Sequence, residues 1–283
     1  MIRVGQAGYP PGASGMVDAI VRTEALGLDA MEVQFVRNIS LKDDVAAEAR
    51  AKASDLGVML SAHAPYYISL NSRSPETVEK SREWILRTAR AAKALGAWII
   101  VIHAASYSGV DSDRTTRNVI EQISTCRRTL DEEDDQVVLG LETMGKKGQW
   151  GTLAEIHEVM REVQGVQPVI DFAHIHARGG GAIKGRRDFE AVLDEHDQMP
   201  TGRTHCHFSG IEYTAAGEKN HLPLDSGSPD YGPLADILSD GGREMTLICE
   251  TTAPSIDAVR MRTMLEWARS DKWTDRNKRI EHH

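Results

Sequence analysis

Short runs dense in Val, Ile, Leu and Ala alternate along this chain with longer stretches whose apolar residues recur every three or four positions. The short runs, at residues 2–5, 29–35, 58–62, 98–102, 137–141, 166–170, 203–208 and 245–249, read as strands of a parallel sheet, most of them apolar, while 203–208 alternates His205 and His207 with Cys206. The intervening stretches read as amphipathic helices over 16–26, 43–56, 75–95, 113–132, 152–163, 188–197 and 255–267. In 75–95, Val78, Ile85, Leu86, Ala89, Ala92 and Leu95 share one face, and Gly96 follows as a C-terminal cap signal. Strand–helix units at this even spacing predict an α/β fold, a closed (β/α)₈ TIM barrel forming a single domain over residues 1–269, followed by a frayed polar tail over 270–283. An open doubly wound sheet fits less well, because no GxGxxG or P-loop follows any strand.

The polar residues that close the apolar runs carry the chemistry. The run 137–141 ends in Glu142 ahead of a Gly-punctuated segment, and the others deliver His63, His103, Asp171 with His174 three residues on, His207 and Glu250; His221 joins from a long loop over 209–231. Any one of these histidines reads most simply as a hydrogen-bonded or surface side chain. Eight imidazoles and carboxylates at strand ends that converge on one face of a barrel are a metal constellation. Without thiolate they suit Zn²⁺, with Mn²⁺ as the alternative, and eight ligands exceed one tetrahedral site, so at least two ions are expected. Glu142 and Asp171 can each bridge, and a pair of ions ~3.5 to 4 Å apart is what phosphodiester hydrolysis requires. Glu142 and Glu250 are the expected catalytic carboxylates. Among the remaining histidines, His157 and His196 fall in predicted helices and read as solvated, His176 is ambiguous, and His205 lies on the face of His207 but deeper, in a supporting or a packing role.

Composition narrows the setting. Three cysteines without CxxC spacing exclude a disulfide framework and a thiolate zinc site. A formal charge of −9 excludes a uniformly basic nucleic-acid coat, and the absence of any long apolar run or signal-peptide pattern points to a cytoplasmic protein without membrane contact. A local basic rim is still compatible with that charge. Arg37, Arg73, Lys146, Lys147, Arg178, Lys184, Arg186 and Arg187 fall in or near loops at the expected C-terminal face, several in the Gly-rich stretch 178–187, whereas most acids fall on the outer helices.

The residues also carry a resemblance. His63-Ala64-Pro65-Tyr66 with Leu70-Asn71-Ser72, His103 before Ala104-Ala105-Ser106, Leu141-Glu142-Thr143 before a Gly-rich turn, Asp171-x-x-His174, His207, and Ile248-Cys249-Glu250-Thr251 stand in the order and spacing of the endonuclease IV family of apurinic/apyrimidinic endonucleases. The similarity runs from Ile2 to about Trp267. It implies a barrel nuclease with a cluster of two or three zinc ions that incises double-stranded DNA 5′ to an abasic site and leaves a 3′-hydroxyl. By family position His63, His103 and Glu142 resemble the ligands of one metal, Glu142, Asp171, His207 and Glu250 those of a second, and His174 and His221 part of a third. Arg37, Tyr66, Lys146, Lys147, Arg186 and Lys219 are then the expected DNA contacts, with Tyr66 packing on the sugar of a flipped-out lesion. A monomer is expected.

Three positions depart from the family pattern. Gln6-Ala7-Gly8 stands where a strand-end histidine is usual, His103 is followed by Ala-Ala rather than Pro-Gly, and Lys219-Asn220-His221 replaces Asp-x-His. A lysine repels a cation, so either Glu218 replaces the missing acid or Lys219 substitutes its charge for a third ion, and the second is the favoured expectation. Two other functions compete. A divalent-metal sugar isomerase or epimerase would need only Glu142, Asp171, His207 and Glu250, and a lesion-binding protein without catalysis would account for Lys219 and the missing early histidine.

Overall fold

Eight parallel strands, β1 (Ile2–Ala7), β2 (Ala30–Gln34), β3 (Met59–His63), β4 (Ile99–Ile102), β5 (Val138–Glu142), β6 (Val166–Asp171), β7 (Thr204–Phe208) and β8 (Met245–Cys249), close into a barrel in sequence order. The structure, a computed structural model, describes residues 1–35, 39, 41–199 and 201–280, the last ten by backbone alone. Closure is made by β1 against β8, with Ile2 opposite Met245 through Gln6 opposite Cys249. The expected (β/α)₈ barrel is the fold. The register carries the strand-end groups to one level: Gln34 pairs with His63, and Asp171 with His207, which also pairs with Ile248.

Helices α1 (Met16–Ala25), α2 (Asp43–Leu56), α3 (Pro75–Leu95), α4 (Ser112–Glu132), α5 (Leu153–Glu162), α6 (Phe172–Arg178), α7 (Arg186–His196), α8 (Gly232–Ser239) and α9 (Pro254–Ile280) pack outside. Their local sequence explains their ends. The Ser74 hydroxyl and Pro75 start α3, Gly96 in the left-handed conformation ends it, and Thr152 and Glu155 form a reciprocal capping box on α5. The chain departs from expectation in five places. Asp171 caps α6 by accepting from the His174 amide at 2.7 Å, so a helix begins directly at the end of β6. α8 buries Leu234, Ala235, Ile237 and Leu238 in a stretch for which no helix was expected, and α9 continues as helix past 267 to Ile280. The segment 209–231 is not all loop, because Gly210–Thr214 and Gly217–Leu222 pair as an antiparallel hairpin. His157 and His196, expected in solvent, are 4% and 1% exposed. Helical spacing puts His196 on the face of Phe189 and Leu193, and His157 beside Ile156 on the buried side of α5.

The layer between strands and helices is aliphatic, but the barrel interior is not. Glu32, Ser61, His63, Glu142, Asp171, His205 and His207 are all at most 1% exposed. Branched apolar residues usually fill such a lumen. Here the polar groups must satisfy one another or bind something. Among the described residues no helix is long and apolar enough to cross a membrane.

Barrel closure depends on close approach at Gly5, where an added Cβ would fall inside contact distance of the Ala30 carbonyl and 2.8 Å from the Ala30 Cβ. The obstacle is backbone and cannot rotate away. Gly5→Ala is expected to destabilise the barrel by about 1–3 kcal/mol, read as a lower urea midpoint at unchanged m-value, and an unshifted midpoint would contradict the packing.

Candidate metal centre

Glu142 lies at the centre of the C-terminal mouth, at the end of β5 and 1% exposed. Its Oε2 faces His63 Nε2 at 3.4 Å and His103 Nε2 at 2.6 Å, and its Oε1 faces His207 Nδ1 at 3.0 Å. His207 Nδ1 lies 3.4 Å from Glu250 Oε2 and 4.0 Å from Asp171 Oδ2. Among the described residues four groups could each hold an ion: His63, His103 and Glu142; Glu142, Asp171, His207 and Glu250; Asp171, His174 and His221; and, deeper in the barrel, Glu32, His205 and His207. All eight residues singled out as ligands meet here. The buried oxygen Asp171 Oδ2 has no hydrogen-bond partner, which suits a cation, since a buried carboxylate oxygen left bare is costly.

The backbone fixes which nitrogen each imidazole presents. His63 Nδ1 donates to the Ala64 carbonyl at 2.7 Å, His174 Nδ1 to the Thr143 carbonyl at 2.9 Å, and His221 Nδ1 to the Glu250 carbonyl at 2.7 Å. Each Nε2 is left to face the centre. His174 Nε2 and His221 Nε2 stand 3.4 Å apart with Glu218 Oε2 3.6 Å from the former, an arrangement of acceptors that requires a proton or a metal between them.

Glu218 reaches this place through a β-bulge. Glu212 pairs with Asn220 and Tyr213 with Glu218, so Lys219 is the extra residue of its strand. Residues three apart would otherwise face opposite sides; the bulge turns Glu218 and His221 to the same one. Gly145 makes room, because a Cβ there would lie 2.7 Å from Glu218 Cβ and 3.0 Å from His174 Cδ2. Lys219 turns outward to Glu212 at 2.7 Å. Of the two arrangements expected for the third group, the side-chain placement is that of Glu218, not the favoured one.

The rim is thinner than expected. Lys146 and Lys147 are exposed beside the site. Arg186 is held by Glu190, Asp236 and Asp240 at the start of α7, and Arg178 donates to the Met144, Lys146 and Gln149 carbonyls, so both guanidinium groups are committed to the protein. Arg37 lies outside the described residues. Tyr66, 48% exposed, has its ring tilted against His63 at 5.0 Å and His103 at 5.1 Å and donates to Gln34 Oε1. Sequence reasoning missed Glu32 and Gln34, although two polar residues alternating with Met31 and Val33 in an apolar run were the signal.

Fold and site together define an α/β-barrel protein with histidine–carboxylate clusters at the C-terminal mouth that could hold metal ions. The chain belongs to the family described as xylose isomerase-like TIM barrel, whose model matches residues 20–271. An uncharacterized protein of Methanocaldococcus jannaschii is 33% identical over 92% of this chain and 95% of its own length. A probable endonuclease 4 of Staphylococcus carnosus is 29% identical over 48% of this chain, and the match spans about half, 46%, of that relative. Among solved structures, endonuclease IV of Thermus thermophilus superposes with a TM-score of 0.73 at 20% identity over 93% of this chain and 99% of its own. A D-tagatose 3-epimerase-like protein reaches 0.72 at 17% over 94% and 99%. These two share the fold.

Charge in the metal-free centre is balanced by protons. Burial opposes the charge on His174, but Asp171 and Glu142 outweigh it and lift its pKa to about 10; burial likewise opposes His207, which Glu250, Glu32 and Glu142 raise well above the usual imidazole value. Burial would raise Glu142, yet His103 and His207 hold it well below the carboxylate range. A raised histidine stabilises the fold fully below its unfolded value and loses that contribution as pH climbs through the folded one. The metal-free protein should therefore lose stability between about pH 6.5 and 10. At pH 7 zinc must displace these protons, so calorimetry in buffers of different ionisation enthalpy should show net proton release, and zinc uptake without release would contradict the assignment.

Proposed function

We propose that the chain is a zinc-dependent endonuclease that hydrolyses the DNA phosphodiester 5′ to an abasic site and leaves a 3′-hydroxyl. The observation that carries this reading is the third group, His174 and His221 with Glu218, beside the Glu142 centre. A sugar isomerase or epimerase needs only the four residues Glu142, Asp171, His207 and Glu250, and would leave His63, His103, His174 and His221 without work. The endonuclease 4 relatives support the nuclease reading over the half of the chain they match.

In this reading His63, His103 and Glu142 hold one ion, Glu142, Asp171, His207 and Glu250 a second, and His174, His221 and Glu218 with Asp171 the third. Bound zinc supplies Lewis-acid stabilisation of the phosphoryl oxygens and a nucleophilic water at neutral pH. The protein does the rest. Glu142 and Glu250 hold acceptor oxygens at fixed positions for an in-line displacement, and the buried strand ends keep the donor set from relaxing. Tyr66 offers an exposed aromatic face beside His63 and His103 for the deoxyribose of the extruded nucleotide.

The test joins composition to activity. Purified protein should carry about two to three zinc ions per chain and nick a duplex with one abasic site, whereas one manganese ion and activity on a ketose would support the epimerase. Glu142→Gln should abolish nicking, a loss of at least about a thousandfold, while thermal unfolding stays cooperative; near wild-type nicking would refute the shared-carboxylate centre.

Lys146 and Lys147 generate a separate expectation. Replacing both with Ala should flatten the dependence of log Kd on log salt by about two units without changing zinc content, and an unchanged slope would remove them from the DNA interface.

A further inference from the structure

Glu32 lies beneath the metal centre, fully buried on β2, and belongs with His205 and His207 to the deepest of the four groups, outside the three that gather the eight expected ligands. Its carboxylate accepts from Ser61 Oγ at 2.9 Å, Gln34 Nε2 at 3.2 Å, His205 Nε2 at 2.9 Å and His207 Nε2 at 3.3 Å. An ionised carboxylate has about four lone-pair directions and no proton to give. Here they meet four donors. Burial would raise its pKa, but His207 and the hydrogen bond from His205 outweigh burial and keep it low.

The consequence falls on His207. Unlike His63, His174 and His221, whose Nδ1 is tied to a carbonyl and whose Nε2 faces the centre, His207 gives its Nε2–H to Glu32 and turns Nδ1 toward Glu142, Glu250 and Asp171. The same carboxylate acts on a second member of the set. Gln34 donates both to Glu32 Oε1 and to Glu250 Oε1, at 3.2 and 3.3 Å, while its own oxygen accepts from Tyr66. Two of the four residues around one ion are thus oriented from a single buried group.

We propose that Glu32 is the positioning carboxylate of this centre, fixing the tautomer of His207 directly and the rotamer of Glu250 through Gln34; the proposal rests on the metal reading above. His205 is the counter-arm that holds the carboxylate in place, and Ser61 completes its shell. A glutamine at position 32 would keep the volume but could not accept four hydrogen bonds, and its amide N–H₂ facing His207 would favour the Nδ1–H tautomer, which cannot ligate.

The experiment is a zinc titration against a chromophoric chelator with the full chain, alongside thermal unfolding. Glu32→Gln should weaken the zinc site that contains His207 by about 10- to 100-fold, the usual effect of removing a carboxylate behind a ligand histidine. His205→Gln, which cuts the other arm, should cost folding stability but leave zinc affinity closer to wild type. Equal loss of affinity in both variants would reduce Glu32 to packing and overturn the proposal. Should Glu32→Gln fail to fold, the wild-type protein decides: long-range ¹H–¹⁵N spectra of the cadmium-loaded chain should show His207 ligated through Nδ1 with a protonated Nε2. Ligation through Nε2 would overturn it. A wild-type chain that takes up neither zinc nor cadmium would instead sink the metal reading itself.

Discussion

The structure turns on the cost of taking carboxylates out of water. Glu32, Glu142 and Asp171 are at most 1% exposed inside a closed barrel, where an unpaired charge would cost several kcal/mol, roughly, for each group. The imidazoles gathered around them offset that cost with protons at neutral pH or yield those protons to cations. The raised His174 and His207 and the depressed Glu142 and Glu32 are two sides of one balance. The rigid parallel sheet prevents the groups from relieving it by moving apart.

How much of this was legible in the sequence follows from what parallel strands do. A strand buried on both faces must be apolar throughout, so a lone His or Glu at its end stands out, and His63, His103, Glu142, Asp171, His207 and Glu250 could be read before any fold was known. Polar residues inside such a run are harder to weigh. Glu32 and Gln34 alternate with apolar neighbours as an exposed face would, and only closure of the barrel turns that face inward. The committed arginines were illegible for a different reason: loop position says nothing about which carboxylate a guanidinium will find, and Arg186 finds three, on α7, on α8 and just past the end of α8.

The 210–222 hairpin shows where reading residue by residue breaks down. Lys219 in the place of a ligand acid suggested a lost or substituted ion, because strand alternation would turn Glu218 away from His221. One bulged residue turns Glu218 to the side of His221 instead. Bulges depend on what the strand docks against, here the 145–148 turn, where Gly217 approaches the Gly145 carbonyl with a φ of +100° and Glu218 N donates to that carbonyl at 3.1 Å. Neither contact has a signature in the hairpin's own sequence.

The three groups that gather the expected ligands also differ in how they are held. The residues around Glu142 project from strands locked into the barrel ladder, and His207 and Glu250 are further tied to Glu32 through buried hydrogen bonds. Glu218 and His221 come instead from a two-stranded hairpin whose outer residues are exposed, joined to the body through the Gly145 turn and the His221 bond to the Glu250 carbonyl. Local opening costs least where few buried contacts must break, and a two-stranded ribbon has few. The donor sets are alike in chemistry, but the third is assembled on the most easily opened element of the site. The strand-end groups form a preorganised floor, and the hairpin adds Glu218 and His221 beside it.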